Sequence, residues 1–225
     1  MGDMFFKQVG IFDPKKQRLK ITLIGAGSVG SFIGLNLAKL GFLDIEIIDF
    51  DKVEAHNIPN QFFRMKDIGK FKVEALGEII KDFTDVDVTI RNEKIDANSK
   101  LEVDMDRLYI LAVDTVDARK DIYSIIKGSP MYMIDGGTGG EEYSTQIYKM
   151  DSEIDQKKYE DYLSKKFKEL PCGMQNVIYT ILSIASETVN MVKRLDKQEP
   201  IPTSIRRDMQ SARILASYPK VEENV

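Results

Sequence analysis

The chain has one cysteine, one histidine and no tryptophan in 225 residues. A single thiol, Cys172, cannot close an internal disulfide, and it excludes zinc sites built from several thiolates. With His56 as the lone imidazole, catalysis has to draw on carboxylates, lysine, arginine, backbone amides or that thiol. No apolar run approaches the ~20 residues that cross a bilayer, so no membrane association is expected. Residues Met1–Phe12 lack the charged start, long apolar stretch and small-residue cleavage site of a secretory leader. Neither sign of charge dominates: 32 basic against 36 acidic side chains leave a net −4, which argues against bulk attraction to nucleic acid or anionic lipid. Ten methionines beside one unpaired thiol suit a reducing, cytoplasmic location.

What is present is enough for a core. The chain is 43% hydrophobic, and one of this length buries about 70% of its unfolded surface without disulfide staples. Arg18–Ile24 is a β-branched run that ends in Gly25-Ala26-Gly27-Ser28-Val29-Gly30. The spacing of Ile33, Leu37 and Leu40 predicts a helix over Ser31–Leu40, closed by Gly41, and Ile45–Ile48 reads as a second strand ending in Asp49. Strand, glycine turn, helix and strand make a βαβ unit and therefore a parallel sheet. Phe50–Asp67 has no clear period and reads as a long functional loop. A helix is expected from Gly69 to about Phe83, a third strand over Val86–Ile90 and a strand buried on both faces over Leu108–Val113, followed by Asp114 and a helix over Asp117–Ile126. Met131–Ile134 is a further buried strand, stopped by the glycine run Gly136–Gly140, and Ser144–Met150 alternates as a strand does. Beyond Ile154 the pattern turns helical: a charged stretch to Leu170, a break at Pro171, then an apolar face from Met174 to Val192. The expected architecture is α/β: a Rossmann-like, doubly wound, mostly parallel sheet with a helical C-terminal extension. It occupies residues 1–198 as one domain, with a poorly ordered, proline-containing tail over 199–225.

The glycine turn carries the first chemistry. Gly25 permits a tight turn, Gly27 lets a phosphate approach the backbone, Gly30 allows close helix–strand contact, and the helix N-terminus offers free N–H groups to an anion. Asp49, 24 residues beyond Gly25, stands where a carboxylate takes a ribose hydroxyl. This pattern alone serves NAD, FAD, S-adenosylmethionine and ATP alike.

The following loop is more specific. Asp49-Phe50-Asp51-Lys52-Val53-Glu54-Ala55-His56-Asn57-Ile58-Pro59-Asn60-Gln61, then Asp67-Ile68-Gly69-Lys70-Phe71-Lys72, then Ala112-Val113-Asp114-Thr115, resembles the ThiF/MoeB/HesA family, the ubiquitin-activating-enzyme-like adenylyltransferases. The likeness runs from about Lys20 to Gly140 and recurs loosely at Pro171-Cys172-Gly173. The resemblance implies an ATP-dependent enzyme that activates the C-terminal carboxylate of a small ubiquitin-like or sulfur-carrier protein, or of a peptide, as an acyl-adenylate. By that resemblance Lys72 contacts the phosphates and Asp114 holds Mg²⁺. Gly25, Gly27, Gly30, Asp49, Asp51, Asn57, Asn60, Gln61 and Thr115 complete the nucleotide pocket. A homodimer is implied too, and the charged Glu153–Glu169 stretch falls where relatives place a segment crossing over the carrier tail.

Three departures stand out. Asn60 occupies the place of a family arginine, and Arg64, four residues on, is the candidate to supply its charge. Ser28 replaces a glycine in the turn. The paired C-x-x-C zinc ligands of many relatives are absent, so no structural zinc is expected. Cys172 reads either as a small buried hydrophobe or as a nucleophile that takes over the activated carrier, its thiol pKa lowered by the start of a helix. Two other functions stay open: a non-catalytic scaffold or partner subunit, and an NAD-dependent oxidoreductase using the same glycine turn.

Overall fold

The computed structural model describes residues 4–99, 104–165 and 177–219. Among these, β1 (Lys20–Ile24), α1 (Ser28–Leu40) and β2 (Ile45–Ile48) form the expected βαβ unit. The helix opens at Ser28, inside the glycine turn, and not at Ser31. Gly41 ends it in the left-handed region (φ 111°), its N–H reaching the carbonyls of Leu37 and Ala38. Then come α2 (Lys72–Thr84), β3 (Thr89–Arg91), β4 (Arg107–Leu111), α3 (Val116–Ile126), β5 (Tyr132–Gly139) and β6 (Glu142–Lys149). They are followed by α4 (Glu153–Leu163), α5 (Ile178–Asp196), β7 (Ser204–Asp208) and β8 (Arg213–Ser217). Strand order is β3-β2-β1-β4-β5-β6-β7-β8: the first five are parallel and the last three antiparallel.

Side chains alternate across this sheet, so each strand feeds two cores. Ile21, Leu23, Ile45, Ile47, Leu108 and Ile110 point to the layer of α1, α2 and α5. Ile24, Ile48, Tyr109, Leu111 and Met133 point to the layer of α3 and α4. Each fully buried Ile or Leu contributes about 1.5–3 kcal/mol. The two facing helix layers make the sheet doubly wound.

Four expectations need correction. Val86 is buried in the turn after α2, beyond Asp85 at φ 59°, and the third strand starts only at Thr89. The glycine run does not stop β5: Gly136 and Gly137 pair with Thr145 and Ser144 of β6. A Cβ on Gly136 would stand 3.0 Å from Ile184 Cδ1 of α5, so its lack of a side chain makes room for a helix crossing the strand. At the start of α5, Ile178 is partly exposed, whereas Ile181, Ala185 and Val192 are buried as the apolar face predicts. The stretch after Gln198 is not a loose tail over its described length, because β7 and β8 extend the sheet by two strands.

Candidate functional site

Three chain segments leave the sheet side by side at the carboxyl ends of β1, β2 and β4. Backbone bonds lace these ends together: Gly25 N–H donates to Ile48 O (2.8 Å) and Ala112 N–H to Ile24 O (2.8 Å). Gly25 has φ 102°, and a Cβ there would sit 2.5 Å from the Ala112 carbonyl oxygen. A Cβ on Gly30 would lie 1.9 Å from the Gly25 carbonyl oxygen. Gly27, by contrast, has nothing within 4 Å of the corresponding point. Two of the glycines thus serve packing, while the third leaves the mouth of α1 open. The strand order reverses between β1 and β4, the switch point where such sheets bind ligands.

Asp49 closes one side. Its Oδ2 accepts Ala26 N–H at 2.6 Å and its Oδ1 accepts Asp51 N–H at 2.8 Å, fixing the carboxylate against the glycine turn. Burial raises its pKa above the ordinary 3.8, and these two N–H groups and the charge of Lys72 offset only part of that rise.

Lys72 is brought to the Asp49–Asp51 segment because the loop folds back. Val53 N–H bonds to Lys70 O (2.9 Å), Gly69 N–H to Val53 O (2.8 Å) and Lys72 N–H to Asp51 O (2.8 Å). The lysine opens α2, is buried, and its Nζ lies 2.8 Å from Asp51 Oδ2. A buried ammonium facing a half-exposed carboxylate at the mouth of a helix-bounded crevice is placed to meet an anion.

The remaining candidates divide. Asn60 Oδ1 and Gln61 Oε1 are buried with no hydrogen-bond partner among the described residues, an arrangement that a bound polar group would relieve. Asn57 is buried too, but its Oδ1 accepts Glu54 N–H at 2.9 Å and caps a short turn. Asp114 is exposed just past β4, and Thr115 caps α3, its Oγ1 accepting Ala118 N–H at 3.1 Å. Arg64 is tied to three carboxylates: Asp67 (2.7 Å), Asp82 (2.8 Å) and Glu78 (3.4 Å). Glu78 lies six residues along α2 from Lys72, about 9 Å of helix rise. His56 is exposed, 3.2 Å from Glu54. Cys172 lies outside the described residues. Among the described residues no group of three or more His, Cys, Asp or Glu side chains is arranged to hold a metal.

Residue-by-residue reading of the sequence missed a buried network next to Asp114. Arg119 of α3 donates through Nε to both oxygens of Asp135 (3.0 and 3.2 Å), through Nη1 to Thr115 O (3.3 Å) and through Nη2 to Gly136 O (3.1 Å). Tyr159 Oη donates to Asp135 Oδ2 at 2.9 Å. The signal was available, because Asp135 follows a buried apolar run just as Asp114 does.

This strand order, with its switch point between β1 and β4, is that of a doubly wound α/β protein. Residues 10–212 match the model of the ThiF family, and the chain belongs to that family. It is 31% identical over 147 residues to the NEDD8-activating enzyme E1 catalytic subunit of Arabidopsis thaliana, a match spanning 58% of this chain and 32% of that protein. It is 30% identical over 131 residues to SUMO-activating enzyme subunit 2 of Dictyostelium discoideum, spanning 56% and 20% of the two chains. These matches therefore span a third or less of the relatives' length. Among solved structures, PaaA superposes with a TM-score of 0.76 at 22% identity, over 96% of this chain and 72% of PaaA. E. coli MccB with MccA superposes with a TM-score of 0.78 at 16% identity, over 97% and 72%. A structure of MccB with ATP gives 0.72 at 17%, over 91% and 65%. At such identities these structures speak for the fold. No helix among the described residues is long and apolar enough to cross a membrane.

Proposed function

We propose that the chain is an ATP-dependent adenylyltransferase that activates the C-terminal carboxylate of a small ubiquitin-like or sulfur-carrier protein, or of a peptide. The observation that carries this reading is the convergence of the open glycine turn at Gly27, the fixed carboxylate of Asp49 and the buried ammonium of Lys72 on one crevice. In the reaction a carboxylate oxygen attacks the α-phosphorus of ATP. The new P–O bond forms as the bond to the bridging oxygen breaks, and its electron pair leaves with pyrophosphate. Asp49 accepts the ribose hydroxyls, the α1 N-terminus and the Gly27 backbone receive phosphate oxygens, and Lys72 exchanges Asp51 for the phosphate chain. Asn60 and Gln61 give their unpartnered oxygens to donor groups of the nucleotide.

Magnesium fits Asp114. The ion needs one or two carboxylates and otherwise takes water and phosphate oxygens, so a single exposed carboxylate at the sheet's rim suffices and a protein cage is not required. When bound it would neutralise phosphate charge. Relatives named for activating NEDD8 and SUMO, and the MccB–MccA complex, support a protein or peptide as co-substrate. We assign the chain as one unit that pairs as a homodimer in the cytoplasm, with Cys172 the candidate to receive the activated carboxyl group.

The test is isotope exchange between labelled pyrophosphate and ATP, with Mg²⁺ and candidate carriers. Label should enter ATP, and Asp114→Ala should abolish it. Persistence of exchange in that variant would remove Asp114 from the metal role. Absence of exchange alongside tight NAD uptake would favour the oxidoreductase.

A second reading, a partner subunit without chemistry of its own, is favoured by the engagement of Arg64 with Asp67, Asp82 and Glu78. Arg64→Met separates the two roles of that side chain. A rate lowered about 10²–10³-fold, as for loss of one preorganised donor, would make it the charge that Asn60 lacks. A rate within a few-fold would leave it a strut of the loop.

A further inference from the structure

A buried ion pair, Arg119 with Asp135, connects to the residue next to Asp114 through the Thr115 carbonyl. Arg119 and Asp135 are both almost fully buried, and burying such a pair is costly unless every donor and acceptor is used. Here the bonds have a direction. Tyr159, on α4, donates to Asp135 in the middle of β5. Asp135 takes Arg119 Nε on both oxygens, and Arg119 spends its other two nitrogens on the carbonyls of Thr115 and Gly136. Thr115 is the residue after Asp114, and its carbonyl also accepts the Arg119 amide at 3.3 Å. A continuous chain of hydrogen bonds therefore runs from α4 to the Thr115 carbonyl, one residue past Asp114. The surroundings are rings, not water: Tyr123, Tyr148 and Tyr162 pack around Tyr159 at centroid distances of 5.1, 4.8 and 5.8 Å.

We propose that Tyr159, Asp135 and Arg119 form a positioning relay that sets the Asp114 loop, so that the seating of α4 controls the phosphate end of the crevice. The proposal rests on the nucleotide reading above for its consequence, but its geometry is independent of that reading. All three side chains are buried, and each acts through the next. A helix that shifts when a partner docks on it would pass that shift to Asp114 through Tyr159.

The conservative variant Tyr159→Phe removes one hydroxyl and keeps the ring packing. Two readouts on the full chain decide the matter. The first is amide hydrogen exchange in protein without nucleotide, at Ala118 and Arg119, whose N–H groups bond to Thr115. Exchange there should quicken about tenfold, the order expected for loss of a hydrogen bond to a charged group, while the β4 amides at Leu108–Leu111 keep their protection. The second is pyrophosphate exchange as a function of Mg²⁺-ATP: KM should rise about tenfold, with kcat changed less than threefold. Asp135→Asn should show the same split more strongly. Tyr123→Phe, which takes a ring neighbour's hydroxyl off Glu160 and leaves the relay intact, should show neither effect.

Unchanged exchange at Ala118 and Arg119 in Tyr159→Phe, or faster exchange spread evenly over the sheet, would overturn the relay. If Asp135→Asn fails to fold, Tyr159→Phe still decides. If the wild-type chain catalyses no pyrophosphate exchange, the proposed function falls, and the amide pattern alone still upholds or refutes the relay.

Discussion

Lys72 illustrates how one side chain acquires a role from its surroundings. An ammonium at the start of a helix is unfavourably placed with respect to the helix dipole, and burial adds to that cost. Asp51, 2.8 Å away, offsets both. Lys72→Gln should therefore keep the fold and lower the rate of pyrophosphate exchange about 10²–10³-fold, read directly in the isotope assay. The glycines give a sharper contrast. Gly30→Ala drives a methyl into the Gly25 carbonyl and should lower the melting temperature or prevent folding. Gly27→Ala meets open space, so thermal stability should stay within about 0.5 kcal/mol of wild type. Under the proposed function its effect should appear in nucleotide titration instead, as weaker binding, because the added methyl would fill the space left open for a phosphate.

At the scale of elements, the loop between β2 and α2 is held by charge. Asp67 is buried, and burial pushes its carboxyl pKa up; the Arg64 side chain and backbone N–H, with Lys70, more than reverse this, so it ends below the ordinary 3.8. A depressed carboxylate contributes stability above its unfolded pKa and loses it as pH falls through the folded value. Wild type should accordingly melt higher than Arg64→Met near pH 7, with the gap closing below about pH 4. A gap that stayed constant across that range, measured by calorimetry, would remove Asp67 as its source. At the end of α5, Lys193 and Lys197 pull Glu199 down to about 2, and the carboxyl resonance of Glu199 should titrate near that value.

Legibility followed the same scale. β1, α1, β2 and the switch point were readable because apolar period, glycine turn and acid fall in one register, and each signal is local. The β5 glycines were misread because a glycine run looks like a turn. Only the crossing of α5 over Gly136 shows that the missing side chains serve packing. β7 and β8 escaped because five-residue segments bearing arginines carry little apolar alternation, and β7 pairs with β6 far upstream in the chain while β8 is added only to β7. Asp135 stands out in the sequence at the end of an apolar run, but its pairing with Arg119, 16 residues away, shows only once the sheet brings the two together. Arg64 is the opposite case: sequence proximity suggests a phosphate contact, whereas its pairing with carboxylates of α2 shows only in the fold.

For the whole molecule, two helix layers clamp the parallel half of the sheet, and the antiparallel half ends in β8, whose residues are all exposed. The crevice lies in the clamped half. With Gly30 pressed on the Gly25 carbonyl and against Ala112, the floor of that crevice is cast before any guest arrives. Admission of a polyphosphate should then resemble a key entering a cut lock. Titration calorimetry at several temperatures should give a heat-capacity change no larger than the covered area demands, with no surplus from folding of the β1–α1 turn.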